Sequence, residues 1–463
     1  MDRKNPLIIP RPEHNLSRSM LSPNAVQALY RLKKQGFTAY LVGGCVRDLL
    51  LGREPKDFDL VTDATPGQVK RLFRNCRLVG RRFRLAHLHF ADEIIEVATF
   101  RAPEPDESSE VEVLPSTATT ANSGVPKTAR PPRHLKSDEG VVLRDNVFGT
   151  PAQDALRRDF TVNAMYYDIG DFSLIDYCEG LDDLKRGVIR TIGPPAERFT
   201  EDPVRMLRAV RFAAMLGFMI EDATWSALVE QSANIARSAP PRLYDEFLKL
   251  FLCGEGEKCY QLLRGSGLLQ TLLPGFSDWL ERESEGFPHT GTSAALDWID
   301  RRIQEGGKVP PQLLLALMFG EYLEEQGKGF RQSGSPLQQS LDMAVAGLLG
   351  ELAGSVLIPS KVGMQLREIL SSQHRFRKTA GKRLLSFIAR PSFTEAMDYF
   401  RFVCATTGEG IESLRWWERF VMENPLPPED KLERKHDTMT SGIPAKRSRR
   451  RRRPKKGPPQ QSP

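Results

Sequence analysis

Two aspartates, Asp57 and Asp59, flank Phe58 in the segment DFDLV. The segment predicts a strand over residues 57–61, in which alternate side chains point to the same face. Two carboxylates on one face repel each other unless a cation lies between them. Mg²⁺ or Mn²⁺ prefers such oxygen ligands, and two ions of this kind can stabilise an in-line phosphoryl transfer. The pair therefore predicts a metal site for this chemistry, although a solvated strand edge is the commoner use of the pattern.

A glycine pair, Gly43 and Gly44, lies ahead of the aspartates where the chain changes its structure. Residues 40–42 predict a buried strand, and residues 45–51 predict a short helix. Glycine lets the backbone come close to a phosphate, and the N-terminus of a helix favours negative charge. The strand, turn and helix thus predict a phosphate-binding element, although a Gly-Gly pair by itself usually marks only a turn.

These features follow one another as GG-x-V-R-D-x-x-L-G-x-x-P-x-D-x-D over residues 43–59. The combination resembles the head of the class II nucleotidyltransferases, the family of bacterial poly(A) polymerases and tRNA CCA-adding enzymes. The resemblance implies template-independent transfer of a nucleoside monophosphate from a nucleoside triphosphate to the 3′-hydroxyl of RNA. It also implies that Asp57 and Asp59 hold Mg²⁺ or Mn²⁺. The residues that would contact the nucleotide here are Gly43, Gly44, Arg47 and Asp48.

A third carboxylate is expected beside this pair, and the sequence leaves two candidates open. Glu96 interrupts the apolar stretch 94–98, where burial of an unpaired charge is costly. It either faces water on an edge strand or faces Asp57 and Asp59. Asp159 is the second candidate for the catalytic set, and spacing does not decide between it and Glu96.

The segment RRDFTVN resembles the RRDF-T-x-N motif of the same family. Arg157 and Arg158 present rigid, planar groups of donors that suit a triphosphate. Asp159 and Asn163 can hydrogen-bond the hydroxyls of a ribose. The apolar pattern predicts a strand over residues 160–167 with Asn163 inside it. Without the resemblance, the RRD cluster would indicate only a group of surface ion pairs.

A predicted amphipathic helix, residues 203–216, overlaps the segment EDPVR. Arg205, Arg208 and Arg211 recur at every third position and therefore share one broad face. Such a stripe usually faces solvent, but EDPVR matches the E-D-x-x-R motif of the family. The resemblance implies that Asp202 and Arg205 hydrogen-bond the edge of the incoming base, and that Arg208 steadies the phosphates or the helix.

The predicted fold is an α/β nucleotidyltransferase head with a small mixed sheet, followed by all-α neck and body domains. Residues after about 218 predict only helices. A stretch rich in Pro, Ser, Thr and Glu predicts a disordered loop within the head. The expected divisions are a flexible N-terminal extension (1–21), the head (22–170, with the disordered loop 103–136), the neck with the base-recognition helix (171–265), the helical RNA-binding body (266–430) and a disordered Arg/Lys-rich tail (431–463).

Two stretches in the predicted body combine aromatic and arginine side chains, residues 399–402 and 414–417. Such side chains can stack on RNA bases, but aromatic positions on helices belong more often to the core. RNA binding is therefore assigned to the body mainly through the resemblance.

Positive charge is concentrated near the end of the 463-residue chain, whose net charge is +7. Residues 446–456 contain nine Lys or Arg, and residues 441–463 contain no acidic side chain. Such a tail suits RNA, because phosphate contacts do not depend on sequence. No apolar run reaches the roughly 18 residues of a membrane-spanning helix, and the N-terminus lacks the apolar core of a secretory signal, so we expect a cytoplasmic protein. The six cysteines form no C-x-x-C, which argues against a zinc site or a disulfide framework.

Within the family, the sequence favours the poly(A) polymerase branch. The segments FRNCRLVG (73–80) and GRRFRLAHLHF (80–90) are similar to the poly(A) polymerase version of this region. The expected partners are RNA 3′ ends, ATP as substrate and, as candidates, proteins of RNA decay, with a role in mRNA polyadenylation and RNA turnover. A CCA-adding enzyme is the alternative. A non-catalytic RNA-binding adaptor is a further alternative, and a P-loop kinase or ATPase is set aside because the chain has no G-x-x-x-x-G-K-[ST].

Overall fold

The computed structural model describes residues 5–80, 84–102, 135–136, 142–144, 148–284, 287–381 and 383–425. Almost all of the predicted disordered loop (103–136) and the whole predicted tail (431–463) lie outside these residues. The chain forms two compact units, residues 1–367 and residues 368–463. Among the described helices, none is both long enough and apolar enough to cross a membrane.

The described strands are short, and most of them belong to the first half of the first unit. They are β1 Leu7–Ile9, β2 Ala39–Val42, β3 Asp59–Thr62, β4 Cys76–Val79, β5 Leu85–His89, β6 Ile94–Thr99, β7 Leu135–Lys136, β8 Val142–Arg144, β9 Met165–Tyr167, β10 Leu174–Asp176, β11 Val188–Ile189, β12 Met219–Ile220, β13 Glu283–Ser284 and β14 Phe287–Pro288. The predicted strand over residues 57–61 begins only at Asp59, so Asp57 lies in the loop before it.

Eight of these strands form one mixed sheet in the order β1-β10-β9-β2-β3-β6-β5-β4. Neighbours are antiparallel except β3 and β6, which are parallel. The mixed sheet of the predicted head is therefore confirmed. The strand β6 lies inside the sheet between β3 and β5, so the edge-strand interpretation of Glu96 is wrong.

The expectation of helices alone after about residue 218 is wrong, because β12, β13 and β14 lie there. Helices nevertheless form most of the remainder of the described chain, which confirms a mostly helical region beyond the head. They are α1 Pro23–Lys34, α2 Gly44–Leu50, α3 Pro66–Leu72, α4 Pro151–Leu156, α5 Gly180–Arg186, α6 Pro195–Glu201, α7 Val204–Leu216, α8 Asp222–Glu230, α9 Pro240–Phe251, α10 Gly256–Gly265, α11 Leu268–Leu272, α12 Pro274–Leu280, α13 Gly291–Gln304, α14 Pro311–Gln332, α15 Leu337–Ala353, α16 Ser360–Phe376, α17 Leu384–Ile388, α18 Phe393–Thr407 and α19 Ile411–Glu423.

Local sequence fixes the start of several helices near the site. Ser22 caps α1 by accepting hydrogen bonds from the backbone of Asn24 and Ala25. Thr150 and Gln153 form a reciprocal capping box at the start of α4. A proline follows each of these caps, where its fixed φ angle suits the first helical turn and its missing N–H costs nothing. The Thr150 cap sets where α4 begins. This helix carries Asp154, which binds the two arginines of the RRD segment.

Buried apolar side chains pack the sheet against α4 and the chain after β10. The core includes Val42, Val61, Phe100 and Tyr166, of which the last three are completely buried. Tyr40 and Tyr166 meet edge to face, with ring centroids 6.1 Å apart. Aromatic packing of this kind holds β2, β3 and β9 in a fixed arrangement, which in turn fixes the loops that leave those strands.

Three expectations about the head need correction. The expected flexible extension is wrong for residues 7–9, because β1 pairs with β10 at the edge of the sheet. The expected boundary at residue 170 falls inside the sheet, because β10 also pairs with β9. The predicted strand over residues 160–167 is instead a 3-10 turn, Thr161–Asn163, followed by β9, so Asn163 lies in a turn. The other domain limits remain predictions.

The second unit has its own aromatic core. Phe376 and Phe400 stack with ring centroids 5.0 Å apart, and Trp417 meets Phe376 edge to face. The indole N–H of Trp417 donates to the carbonyl oxygen of Phe376 at 2.9 Å. Tyr399, Phe400 and Trp417 are at most 5% exposed, so these aromatic side chains stabilise the unit and do not offer a surface for base stacking.

Candidate active site

The turn between β2 and α2 brings the backbone close to two charged side chains. Gly43 has φ 84° and ψ −142°, a conformation that is costly for any residue with a Cβ atom. A Cβ atom at Gly43 would lie 3.5 Å from Nη1 of Arg158 and 3.8 Å from Oδ2 of Asp59. The predicted phosphate-binding turn is therefore adjacent to one of the predicted metal ligands and to one of the predicted triphosphate ligands.

The parallel pairing of β3 and β6 places Asp59 directly beside Glu96. Neighbouring residues in register share one face of a sheet, so the two carboxylates lie side by side. Burial, the charge of Glu96 and the charge of Asp57 raise the pKa of Asp59 to about 6, against the opposing effect of Arg158. The three predicted carboxylates thus act on one another electrostatically.

This carboxylate group fits a divalent cation. Within the described part of the chain, no three Asp, Glu, His or Cys side chains approach closely enough to form a closed metal cage. Mg²⁺ typically binds through one or two carboxylates and completes its shell with water and substrate phosphates. The raised pKa of Asp59 reflects the free-energy cost of ionising this carboxyl in buried, acidic surroundings. A bound cation would remove that cost. Asp57 and Asp59, with Glu96 beside them, therefore suit such an ion.

Glu96 has a second neighbour on the opposite side. His87 on β5 is its register partner, and Nε2 of His87 lies 3.3 Å from Oε1 of Glu96. The Glu96 side chain is 44% exposed, whereas that of His87 is 20% exposed. A row of polar side chains thus runs across three strands from His87 through Glu96 to Asp59.

Arg158 is held in place by Asp154 and Tyr166. Its Nε and Nη2 donate to Oδ2 of Asp154 at 3.2 and 3.0 Å, and the Tyr166 hydroxyl donates to the same oxygen at 3.0 Å. Arg157 donates to the other oxygen of Asp154 at 3.2 Å. Burial alone would raise the pKa of Asp154, but Arg158 and Arg157 lower it below its usual value. Asp154 therefore positions both arginines of the RRD segment.

Arg47 lies deeper than the sequence suggests. Its guanidinium donates to Oδ1 of Asn163 at 2.5 Å and to Oδ1 of Asp48 at 2.9 Å. It is 3% exposed and packs over the ring of Phe212. In this arrangement Arg47 joins α2 to the Asn163 turn and to α7. Its burial gives no support to the predicted contact of Arg47 with the triphosphate, whereas the Asp48 side chain is 20% exposed.

Asp159 is bound to Arg208 on α7. Nε and Nη2 of Arg208 donate to Oδ2 of Asp159 at 2.7 and 2.5 Å, and the Phe160 backbone N–H donates to Oδ1. Burial opposes ionisation of Asp159, but the charge and hydrogen bonds of Arg208 lower the pKa to about 2. Of the two candidates for a third carboxylate, Glu96 is the one placed beside Asp59, whereas Asp159 is tied to the arginine stripe.

A cavity of about 450 Å³ opens between the RRD segment, α7 and α9. Charged side chains dominate its lining, and both signs are present. The lining residues are Arg157, Arg158, Asp159, Asp202, Val204, Arg205, Arg208, Arg242, Asp245, Glu246 and Lys249. The cavity therefore brings the RRD and EDPVR motifs together, although 40 or more residues separate them in sequence.

The two residues expected to contact the base lie in this cavity, and each has a partner from the chain itself. Nη1 and Nη2 of Arg242 donate to the two oxygens of Asp202 at 3.0 and 2.9 Å. Nη1 of Arg205 donates to Glu201 at 2.8 Å and to the carbonyl oxygen of Arg198 at 2.9 Å. These bonds fix the orientation of each side chain in the cavity.

Arg198 connects the two motifs through the backbone. Its Nη2 donates to the carbonyl oxygens of Arg157 and Arg158 at 2.6 and 2.8 Å. Burial and the nearby charge of Arg205 lower the pKa of Arg198 to about 10, so its side chain still carries a positive charge at neutral pH. Arg198 thereby binds the RRD segment to α6, the helix that ends immediately before Asp202.

Sequence reasoning missed the contribution of α9. Arg242, Asp245, Glu246 and Lys249 all line the cavity, and their spacing of three, four and seven positions puts them on one helix face. That spacing was visible in the sequence and could have identified a charged face. The sequence could not show that Arg242 on this face pairs with Asp202, because the two residues are 40 positions apart.

Family models match three parts of the chain. The poly A polymerase head domain matches residues 39–190, and the probable RNA and SrmB-binding site of polymerase A matches residues 217–280. The arginine-rich C-terminus of polymerase A matches residues 333–456. The first match contains the glycine turn, the three carboxylates and the RRD segment.

The chain is also similar to named proteins over most of its length. It is 42% identical to poly(A) polymerase I of Salmonella typhi over 460 residues, which cover 99% of this chain and 93% of the relative. It is 38% identical to poly(A) polymerase I of Haemophilus influenzae, over 90% of this chain and 88% of the relative. A CCA-adding enzyme of Bacillus velezensis is 34% identical, over 58% of this chain and 61% of the relative.

Solved structures share the fold. The CCA-adding enzyme of Bacillus stearothermophilus in complex with CTP superposes with a TM-score of 0.54 and 23% identity, over 90% of this chain and 83% of that one. The Thermotoga maritima CCA-adding enzyme in complex with tRNA gives a TM-score of 0.51 at 20% identity, over 87% of this chain and 83% of that one. With these folds, and with 42% identity along nearly its whole length, the chain belongs to the poly(A) polymerase I family of nucleotidyltransferases.

Proposed function

We propose that this protein adds AMP from ATP to the 3′-hydroxyl of RNA without a template and releases pyrophosphate. The observation that supports this most strongly is the pairing of Asp59 with Glu96 beside the Gly43 turn. The arrangement offers a cation site and a phosphate-binding turn within contact distance of Arg158. The relatives named poly(A) polymerase I, similar over 90% or more of this chain, favour ATP as the substrate.

The carboxylates supply the catalytic centre of this proposal. Asp57 and Asp59 would hold Mg²⁺ or Mn²⁺, which when bound makes the attacking 3′-hydroxyl more acidic and offsets charge on the leaving pyrophosphate. Glu96 lies beside Asp59 and completes the set. His87, 3.3 Å from Glu96, orients that carboxylate. In this proposal the side chains contribute positioning and charge compensation, which supply most of the rate in phosphoryl transfer.

The triphosphate is proposed to bind between the Gly43 turn and Arg158. The backbone at Gly43 and Gly44 can approach a phosphate because no Cβ atom intervenes, and α2 directs its N-terminus to the same place. Arg157 and Arg158 project from the RRD segment into the cavity. Asp154 fixes both arginines, and fixed donors stabilise phosphate without reorganisation during the reaction.

The base is proposed to lie in the cavity between α7 and α9, which Asp202 and Arg205 line. Arg208 and Asp159 close the side of this cavity that faces the RRD segment. Asn163, whose side chain is engaged by Arg47, holds that segment in its turn. In this proposal Arg47, Asp48 and Asn163 position the site, and Asp202 and Arg205 contact the nucleotide.

CCA addition to tRNA is the second candidate function. It is favoured by the fold, which the solved structures of CCA-adding enzymes share. It is disfavoured by the extent of sequence similarity, because the relative named CCA-adding enzyme matches 58% of this chain. An RNA-binding adaptor without activity is the weakest candidate, since Asp57, Asp59 and Glu96 are all present.

Primer extension separates these functions. The purified protein is supplied with Mg²⁺ or Mn²⁺ and a labelled RNA of arbitrary sequence, or with tRNA that lacks its 3′ CCA. Each nucleoside triphosphate is added alone, and ATP and CTP are then added together. Long ladders from ATP on arbitrary RNA support the proposal. Addition that stops after C, C and A on the tRNA would establish the second candidate, and no extension with either metal would favour the adaptor.

The biological setting is part of the same proposal. A protein that consumes ATP to extend RNA would act in the cytoplasm on mRNA and on RNAs destined for turnover. Proteins of RNA decay are the partners expected in such a setting. The region that matches the probable RNA and SrmB-binding site, residues 217–280, is where we would look first for RNA contacts.

A further inference from the structure

Two cysteine thiols meet at the turn between α9 and α10. Sγ of Cys253 lies 4.0 Å from Sγ of Cys259, and the Cys253 thiol lies 3.2 Å from the carbonyl oxygen of Leu250. Cys259 is completely buried, whereas Cys253 is partly exposed. The pair thus combines a thiol that solvent can reach with a second thiol directly behind it.

The surroundings of Cys253 favour its thiolate form. A hydrogen bond shared with the Cys259 thiol, another from the backbone N–H of Glu255 and the charge of Arg211 act in this direction. Together they lower the pKa of Cys253 against burial and the charge of Asp300, while the pKa of Cys259 is raised. Thiolates near a helix N-terminus and an arginine are the ones that oxidants attack first.

Closing the turn must displace hydrogen bonds that hold it to α13, from Gln304 to the carbonyl oxygen of Gly254 and from the backbone N–H of Gly256 to Asp300. Gly254 follows Cys253 directly and has φ +84°, a region that glycine enters without strain. A disulfide requires the two sulfurs to approach to about 2.05 Å. The remaining movement is about 2 Å, and it falls on a short loop that ends at the first turn of α10.

We propose that Cys253 and Cys259 form a peroxide-sensitive modification site that closes to an intramolecular disulfide. In the first step the Cys253 thiolate attacks hydrogen peroxide, so that an S–O bond forms, the O–O bond breaks and hydroxide leaves with a proton to become water. In the second step the Cys259 sulfur attacks the sulfenic acid. The S–S bond forms, the S–O bond breaks, and the oxygen leaves as water with the proton of the Cys259 thiol. The two thiols lose two electrons to one peroxide.

Other cysteines provide an internal comparison. Cys45, Cys76, Cys178 and Cys404 are buried, and Cys45 has its pKa raised to about 12 by burial and by Asp59. These thiols lack the combination of exposure, lowered pKa and neighbouring sulfur. We therefore expect Cys253 to react with peroxide before any of them.

Peptide mapping of the full-length protein tests the proposal directly. Trypsin cleaves after Lys249, Lys258 and Arg264, so the two cysteines fall in separate peptides, residues 250–258 and 259–264. The reduced protein is treated with hydrogen peroxide, free thiols are alkylated, and the digest is analysed without reductant. We expect the two peptides to appear joined, and to separate when dithiothreitol is added.

Substitutions supply the matched controls. Cys259→Ser should abolish the joined peptide and leave Cys253 as a sulfenic acid that a dimedone probe labels, whereas Cys76→Ser should leave the joined peptide unchanged. Recovery of both wild-type peptides as alkylated thiols after peroxide treatment would overturn the proposal. A disulfide from Cys253 to any cysteine other than Cys259 would overturn it as well.

Discussion

Asp202 and Arg242 form a two-point salt bridge, with N–O distances of 3.0 and 2.9 Å, that joins the start of α7 to α9 across the cavity. The pair orients a carboxylate proposed to contact the base. Because both terminal nitrogens of Arg242 donate to it, one to each oxygen, the carboxylate plane of Asp202 is fixed as well as its position.

Removal of Arg242 should weaken nucleotide binding. In Arg242→Gln, Asp202 loses its two-point partner and can rotate, so the KM for ATP should rise by about tenfold, which corresponds to about 1.4 kcal/mol. Steady-state kinetics with varied ATP would measure this. Lys258→Gln, on α10 and outside the cavity lining, is the matched control. An unchanged KM in Arg242→Gln would show that the bridge does not serve nucleotide binding.

Loss of either aspartate of the proposed metal site should stop catalysis. Asp57→Ala and Asp59→Ala should lower the rate of transfer by about a thousandfold or more, because the cation that neutralises the reacting phosphates loses a ligand. RNA affinity, measured by filter binding, should be nearly unchanged. Asp182→Ala on α5 removes an exposed carboxylate and should retain full activity. Normal turnover by Asp57→Ala or Asp59→Ala would remove the metal hypothesis.

Glu96 and Asp159 should differ in the kinetic constant that they affect. Glu96→Gln changes the charge beside Asp59 and should lower kcat by about ten- to a hundredfold. Asp159→Asn frees Arg208 at the edge of the cavity and should mainly raise the KM for ATP. Single-turnover rates at saturating ATP, compared with KM values, would separate the two effects. The reverse pattern would assign Asp159 to the catalytic set in place of Glu96.

The ion pair of Asp159 with Arg208 should make stability depend on pH in acid. The pKa of Asp159 falls from 3.8 to about 2 on folding, so the pair stabilises the folded state fully above pH 3.8. That stability, about 2 kcal/mol, is lost as the pH falls through the folded pKa near 2. The difference in melting temperature between wild type and Asp159→Asn should therefore shrink steadily below about pH 4. A difference that stays constant from pH 5 to pH 2 would contradict this.

Deletion of residues 441–463 should weaken RNA binding and leave chemistry intact. The segment carries the nine Lys and Arg of residues 446–456, and each lost phosphate contact reduces the slope of log K against log salt by about 0.7 for single strands. RNA affinity at several salt concentrations would measure the slope, and the single-turnover rate at saturating RNA serves as the control. An unchanged slope would mean that the tail has another role.

The local parts of the site were predictable because each depends on a few adjacent residues. Gly43 at the end of an apolar strand, and Asp59 in the next one, follow from short patterns that dictate strand, turn and helix. The neighbour of Asp59 stayed open between Glu96 and Asp159, because only the sheet topology brings Glu96 into register with Asp59. A parallel pairing between strands 35 residues apart has no local pattern.

Partners that are distant in sequence also explain the predictions that were wrong. The apolar pattern from Phe160 to Tyr167 resembles a strand, but Asn163 and Thr161 make tertiary hydrogen bonds to Arg47 and Asp183 that favour a turn. Asp154 lies in a helix with no local pattern to mark it, yet donors from Arg157, Arg158 and Tyr166 converge on its carboxylate. Buried polar networks depend on partners that are distant in sequence, and they are the part of the site that sequence patterns predict least well.

The position of β1 has a consequence for the order of events during synthesis. Leu7 pairs with Asp176, so β1 has no partner in the sheet until β10 has been translated. At about 5–20 residues per second, this delay is about ten to thirty seconds. During that time the apolar side chains of Leu7 and Ile8, still 40% and 59% exposed in the finished sheet, remain open to pairing with other nascent chains. The segment that contains β1 is therefore one that molecular chaperones would protect while the rest of the sheet is translated.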